Sequence, residues 1–298
     1  KALALNNLLS SRLKPLDPKD WRRLAATVDD LREEVNIAIV GKYTGLTDAY
    51  LSLMKALQHA GYQADRKIVI SWIESDDLGE GNELRDSEAW KKLKAADGVL
   101  VPGGFGERGA EGKMRAISYA RTQRVPYLGI CYGMQLAVIE YARNVLEEKQ
   151  ADSEEFEAGG AGPHFVVYMP EIDRGQLGGN MRLGGRTTYF RQDIPSLLSP
   201  FYQNAPSFSA RHRHRYEVNP EYVERLEAAG LMFTGKDESG VRMEVLELRE
   251  DVHPFFVGLQ AHPEYTSRPN KPSPPFVGLI QAAIQHRQSL GTSASTAC

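Results

Sequence analysis

The residues best equipped for chemistry in this chain are a cysteine, a histidine and a carboxylate, far apart in sequence. Cys131 sits in "GICYGMQ", where an apolar run predicted as a strand gives way at once to a helical pattern. A strand, a tight turn at the reactive residue and an immediate helix form a nucleophile elbow. Gly129 and Gly133 flank the turn two residues away on either side, as close backbone approach requires. The elbow sets the sulfur at a helix N-terminus, whose partial positive charge favours the thiolate. The same spacing also fits a buried core cysteine. Taken alone, "VPYLGICYGMQLAVIEYARNV" does not separate the two readings.

Two further stretches bear on the choice. "LQAHPEYTSRP" carries His262 and Glu264 after a predicted strand. In extended backbone, residues two apart point to one side, so the carboxylate would orient the imidazole. The imidazole would then serve the thiol as base and afterwards as acid. A surface His-Pro-Glu turn is the plain alternative. "VPGGFGERGAEGK" places Gly103, Gly104 and Gly106 at the end of another predicted strand. Such a loop cradles phosphate or turns backbone N–H groups toward an oxyanion. No Gly-Lys-Ser/Thr follows and the dinucleotide fingerprint is incomplete. Neighbouring parallel strands end on one edge, so Gly103 and Cys131 are expected side by side at the carboxyl edge of a sheet.

The elements that must hold these residues alternate. "VNIAIVGKY", "KIVISWIES", "GVLVPGG" and "PYLGIC" read as strands, separated by helical patterns at "LTDAYLSLMKALQHAG", "SEAWKKLKAA" and "GKMRAISYARTQ". Thr47 is expected to cap the first of these helices at its start and Gly61 at its end. The second half is turn-punctuated: "MRLGGRTTYFR", "HRHRYEVN", "LMFTGKD", "RMEVLELRE" and "FFVGLQAHPEY" read as an antiparallel layer, before a last helix "PFVGLIQAAIQHRQS". The fold class is therefore α/β: a mostly parallel central sheet with flanking helices, additional antiparallel strands and the elbow at its carboxyl edge. Residues 1–34 are expected to form a helical linker with Asp17 as a cap, 35–285 the domain, and 286–298 a disordered tail, as is "EAGGAGP" at 157–163. A start at Lys1 within a helical pattern suits a piece of a longer polypeptide.

With 42% hydrophobic and 25% charged residues, the chain can fill a globular core. A formal net charge of −3 gives no field to recruit nucleic acid, and "RHRHR" is too short to supply one. No apolar run approaches the roughly 18 residues of a membrane helix. Two cysteines, Cys131 and Cys298, make neither a disulfide framework nor a metal-ligand spacing, so a cytoplasmic, reducing setting and no metal are expected.

Pro-Gly-Gly, Gly-x-Cys-x-Gly-x-Gln and a late His-Pro-Glu, in this order, resemble the signatures of class I, triad-type glutamine amidotransferases. The blocks "VGKYTGLTDAYLSL", "VPGGFGERGAEGK", "GICYGMQLAVIEYARN", "LGGNMRLG", "RHRHRYEVN" and "HPEYTSRPNKPSPPF" extend the likeness to the C-terminal glutaminase domains of the CTP synthases, eukaryotic ones above all. γ-Glutamyl hydrolases share the Cys-His pair but lack the last two blocks. A non-catalytic glutamine-sensing module would be expected to have lost a member of the Cys131, His262 and Glu264 set.

The resemblance implies hydrolysis of L-glutamine to glutamate and ammonia through a glutamyl thioester on Cys131, with His262 and Glu264 completing the catalytic set. It implies an oxyanion hole from the backbone N–H groups of Gly103 and Tyr132, and glutamine held by Gly103, Gln135, Glu155 and Arg215. It also implies a synthetase domain, missing here, that aminates UTP with ATP and magnesium, a homotetrameric full-length enzyme, and no cofactor in this domain. Stimulation by GTP would act near Arg108 and Glu111. The first strand-to-helix loop, "VGKYTGLTDAY", resembles the family's loop beside the partner domain and not a phosphate loop. One departure stands out: the family usually has Leu where this chain has Tyr132.

Overall fold

The computed structural model describes residues 18–81, 86–156, 162–169 and 181–295. Asp17, Cys298 and most of 157–163 lie outside them. Strands β1 (Glu34–Gly41), β2 (Lys67–Glu74), β3 (Gly98–Val101) and β4 (Tyr127–Ile130) pair in parallel. A short pair, β5 (Asp152–Ser153) and β6 (His164–Tyr168), follows. Then come β7 (Arg182–Phe190), β8 (Ser207–His214), β9 (Tyr216–Val218), β10 (Leu231–Lys236), β11 (Met243–Leu248) and β12 (Phe256–Leu259). Nine strands make one sheet in the order β2-β1-β3-β4-β12-β11-β10-β7-β8, and β5, β6 and β9 make a second.

The helices are α1 (Pro18–Asp30), α2 (Leu51–Gln63), α3 (Glu88–Lys94), α4 (Ala110–Gln123), α5 (Tyr132–Asn144), α6 (Val223–Ala228) and α7 (Pro274–Ser295). Helices on both faces explain why the parallel strands are apolar throughout rather than alternating. Along β1, Val35, Ile37 and Ile39 enter the core under α2 and α7, while Ala38 and Val40 enter the one under α3, α4 and α5. β3 divides likewise, with Leu100 on the first side and Val99 and Val101 on the second.

Four expectations are corrected. β12, expected among the antiparallel strands that finish or flank the sheet, is antiparallel only to β11: it pairs in parallel with β4, so it is the seam between the two halves. Thr47 does not cap α2. It opens a tight 3-10 turn, Thr47–Tyr50, and α2 starts after it without a side-chain cap. Gly61 lies inside α2, which runs to Gln63 with Ala64 as its C-cap; a Cβ at Gly61 would lie 2.6 Å from Ile68 Cγ1 and 2.7 Å from the Arg66 carbonyl. Its glycine therefore serves the close approach of α2 to β2, not a left-handed cap. Finally, α7 runs on to Ser295 where disorder was expected from 286, because "QHRQSL" contains nothing that breaks a helix.

Candidate active site

At the end of β4 the backbone of Cys131 adopts φ 50 and ψ −99, a left-handed conformation unusual for a residue with a side chain. The Cys131 N–H donates to the Leu259 carbonyl of β12 at 2.6 Å, and α5 begins at the next residue. Cβ atoms are excluded on both sides of this elbow. One at Gly133 would stand 2.2 Å from the Val101 carbonyl, and one at Gly129 would stand 2.9 Å from the Gly133 carbonyl carbon. The two glycines are thus demanded by contact between β3, β4 and α5.

Because β12 lies beside β4, the residues following it reach the sulfur. His262 Nδ1 stands 2.8 Å from Glu264 Oε1, and the imidazole lies beside Cys131, near enough for the sulfur to act on its protonation. Burial alone would push this imidazole down, but the bond to Glu264 and the charges of Cys131 and Glu264 outweigh it and push it up. The pairing expected from extended backbone is real, yet the geometry differs. His262 precedes a 3-10 turn, Pro263–Thr266, that folds Glu264 back onto the ring. The His262 N–H also donates to the Arg211 carbonyl of β8 at 2.7 Å.

Gly103 follows β3 directly beside these two. A Cβ there would lie 2.7 Å from His262 Cε1 and 3.6 Å from Cys131 Cβ. Tyr132 is fully buried, and its hydroxyl donates to the Gly106 carbonyl at 2.6 Å. Glu155 Oε1 accepts from the Gly106 N–H at 2.9 Å, so the two successive peptides that meet at Gly106 are both held. Lys42 adds a bond from Nζ to the Phe105 carbonyl at 2.6 Å. Lys113 packs its ammonium 4.9 Å from the Tyr132 ring centre, where burial lowers it to about 7. Burial raises Glu155, while the Gly106 N–H and the charges of Lys42, Arg215 and Lys113 act the other way. Arg215 is thus near enough for its charge to be felt at Glu155.

Gln135 is buried on the first turn of α5, and its Nε2 donates to the Tyr216 carbonyl at 2.8 Å. Along β8 the side chains of "RHRHR" alternate, with His212 and His214 buried and Arg211 and Arg213 exposed. Arg108 and Glu111 take different partners. Arg108 bonds Asp76 at 3.0 Å and the Tyr43 hydroxyl at 3.2 Å, whereas Glu111 bonds Arg143 at 2.7 Å, lining a cleft of about 600 Å³ with Glu140. None of Cys131, His262 and Glu264 lines that cleft. Sequence reasoning passed over Gln260, whose Nε2 lies 3.5 Å from Cys131 Sγ. The visible signal was a polar residue closing the apolar run "FFVGLQ". Among the described residues, no group of three or more His, Cys, Asp or Glu is placed to hold a metal ion, and no helix is long and apolar enough to cross a membrane.

Residues 45–282 match the family described as glutamine amidotransferase class-I. The chain belongs to this family. Within it, the chain is 47% identical over 295 residues to the CTP synthase of Dictyostelium discoideum, covering 96% of this chain and 51% of that protein. It is 50% identical over 268 residues to human CTP synthase 1, covering 89% and 45%. The amidotransferase thus spans about half the length of these relatives. A solved structure of the Trypanosoma brucei CTP synthase glutaminase domain with bound acivicin superposes with a TM-score of 0.76 at 36% identity, covering 84% of this chain and 94% of that one.

Proposed function

We propose that this amidotransferase hydrolyses L-glutamine with Cys131 as nucleophile. The observation that carries the reading is the strained elbow at Cys131 with His262 beside it at Gly103 and Glu264 bonded to His262. The thiolate attacks the side-chain amide carbon of glutamine, and the C=O electron pair moves onto oxygen. That oxyanion is received by backbone N–H groups of Gly103 and Tyr132. As it collapses, the C–N bond breaks, His262 protonates the leaving nitrogen, and ammonia departs from a glutamyl thioester. Water then attacks the thioester carbon while His262 takes its proton, and the C–S bond breaks to return the thiolate and glutamate. Arg215 suits the α-carboxylate and Glu155 the α-ammonium by sign. Gln135, with its Nε2 committed, offers Oε1 as an acceptor.

In the whole protein, by similarity to CTP synthases, the ammonia passes to a synthetase domain that converts UTP to CTP with ATP and magnesium. Stimulation by GTP and assembly into a cytoplasmic homotetramer belong to that larger reading. Arg108, in the glycine-rich loop, suits effector coupling better than Glu111, which faces Arg143. The test is an electrophilic glutamine analogue followed by peptide mass spectrometry. Labelling of Cys131 that glutamine prevents is expected; labelling confined to Cys298, or none, rules out Cys131 as the nucleophile.

A further inference from the structure

Gln260 stands two residues before His262, 1% exposed, with its amide nitrogen 3.5 Å from Cys131 Sγ. Its Oε1 accepts from Gln135 Nε2 at 3.1 Å, and the same Nε2 donates to the Tyr216 carbonyl at 2.8 Å. The oxygen and nitrogen of a carboxamide have the same shape, so their placement must follow from partners of known polarity. A backbone carbonyl only accepts. The Gln135 atom facing Tyr216 must therefore be nitrogen, and its second N–H falls on Gln260. The Gln260 atom facing Gln135 must then be oxygen, which leaves its NH2 turned toward the sulfur. A main-chain carbonyl thus dictates, through two buried amides, that the nucleophile meets a donor.

A thiolate accepts such a bond far more strongly than a thiol, because a charged acceptor roughly doubles hydrogen-bond strength. We infer that Gln260 is a catalytic residue that donates a hydrogen bond to the Cys131 thiolate, and that Gln135 acts through it as a positioning residue. This rests on the proposal that Cys131 is the nucleophile. Before attack, the Gln260 N–H shares the sulfur's charge with His262. During thioester breakdown the C–S bond returns its electron pair to sulfur, and the same donor receives the developing charge. Gln260 therefore serves the step in which sulfur leaves as well as the resting state. Two covalent events draw on one fixed amide, with no proton transferred through it.

The test uses the whole chain with Gln260→Leu, Gln260→Met and Gln260→Glu, each checked by thermal melt and read wherever it folds. Leu and Met remove the donor, whereas Glu keeps an acceptor for Gln135 but turns a second oxygen toward sulfur. The readout is the pH dependence of Cys131 alkylation by iodoacetamide, a small neutral reagent that does not need the glutamine pocket. Donation to the charged form predicts that the midpoint moves up by about one pH unit in the Leu and Met variants and further in Glu. Glutamine turnover at pH 7 should fall about ten-fold or more, with a smaller change in KM. Profiles that overlay wild type in folded variants overturn the inference. The two proposals separate cleanly: wild type unlabelled at Cys131 by the glutamine analogue removes the nucleophile. Wild type labelled with unshifted variants removes only Gln260.

Discussion

Gly103→Ala adds a single methyl group between the glycine-rich loop and His262, the proposed base, and its effect can be worked from distances. The new Cβ would lie 2.7 Å from His262 Cε1, whereas ordinary contact begins at 3.4 Å, so the ring must retreat by about 0.7 Å. The ring has little room, being held by Glu264 at 2.8 Å on a residue whose main-chain N–H is fixed to the Arg211 carbonyl. The Cβ of Cys131, at 3.6 Å, is not crowded. The backbone at Gly103 is outside the left-handed region, so alanine adds no conformational strain and its N–H stays in place. Misplacement of about 1 Å costs on the order of 100-fold in rate, so kcat should fall about 30- to 100-fold, equivalent to about 2–3 kcal/mol. Stability should change by less than about 1 kcal/mol. Ammonia release under saturating glutamine gives kcat, and a double-mutant cycle identifies the route of the loss. In a His262→Ala background, Gly103→Ala should cost almost nothing more. Wild-type turnover in the single variant, or an equal further loss in the double, would refute transmission through His262.

Tyr132→Phe keeps the ring under Lys113 but removes the bond to the Gly106 carbonyl. It should cost about 1–2 kcal/mol of stability by thermal melt and lower kcat several-fold; unchanged turnover would mean the tie does not organise the loop. His253 is fully buried, accepts from the Phe255 N–H on Nδ1 at 3.2 Å and bonds the Ala120 carbonyl through Nε2 at 3.0 Å. Burial lowers it to about 4 from 6.5, so the unfolded chain binds a proton that the folded one refuses. Stability due to this residue is complete above pH 6.5 and is lost as pH falls toward 4, by about 1.4 kcal/mol per pH unit within that window. His253→Gln should show a shallower fall in urea unfolding free energy by one proton; parallel curves would contradict the assignment.

The elbow was legible because its glycines record contacts between consecutive elements. Gly133 meets Val101 and Gly129 meets Gly133, and only hydrogen fits there. The His262–Glu264 pair was legible too, although a 3-10 turn rather than extended backbone brings the groups together. Gln260 was not, since its partner is 129 residues away and its meaning depends on β12 lying beside β4. The pairing of a strand with a distant neighbour leaves no local mark. For the same reason β12 read as one more strand of the antiparallel set. Gly61 misled in a different way, because a glycine near a helix end serves either a left-handed cap or a tight crossing. Tyr132 stood out as a departure, but its hydroxyl contact at Gly106 required the three-dimensional path of the loop.

The bond from His262 to Arg211 has a consequence for the shape of the whole antiparallel half. β8 is the last strand in the sheet order, four places from β12, yet its Arg211 pairs with the residue that follows β12 by three positions. The path β12-β11-β10-β7-β8 therefore returns to its own beginning and forms a closed circuit. The circuit is fastened at the main chain of His262. Arg215, proposed to hold the substrate carboxylate, lies four residues further along the same chain. Under the proposed glutamine reading, a carboxylate drawing on Arg215 would pull on a chain whose clasp is the main chain of His262, so occupancy of the pocket and placement of His262 would share one mechanical element.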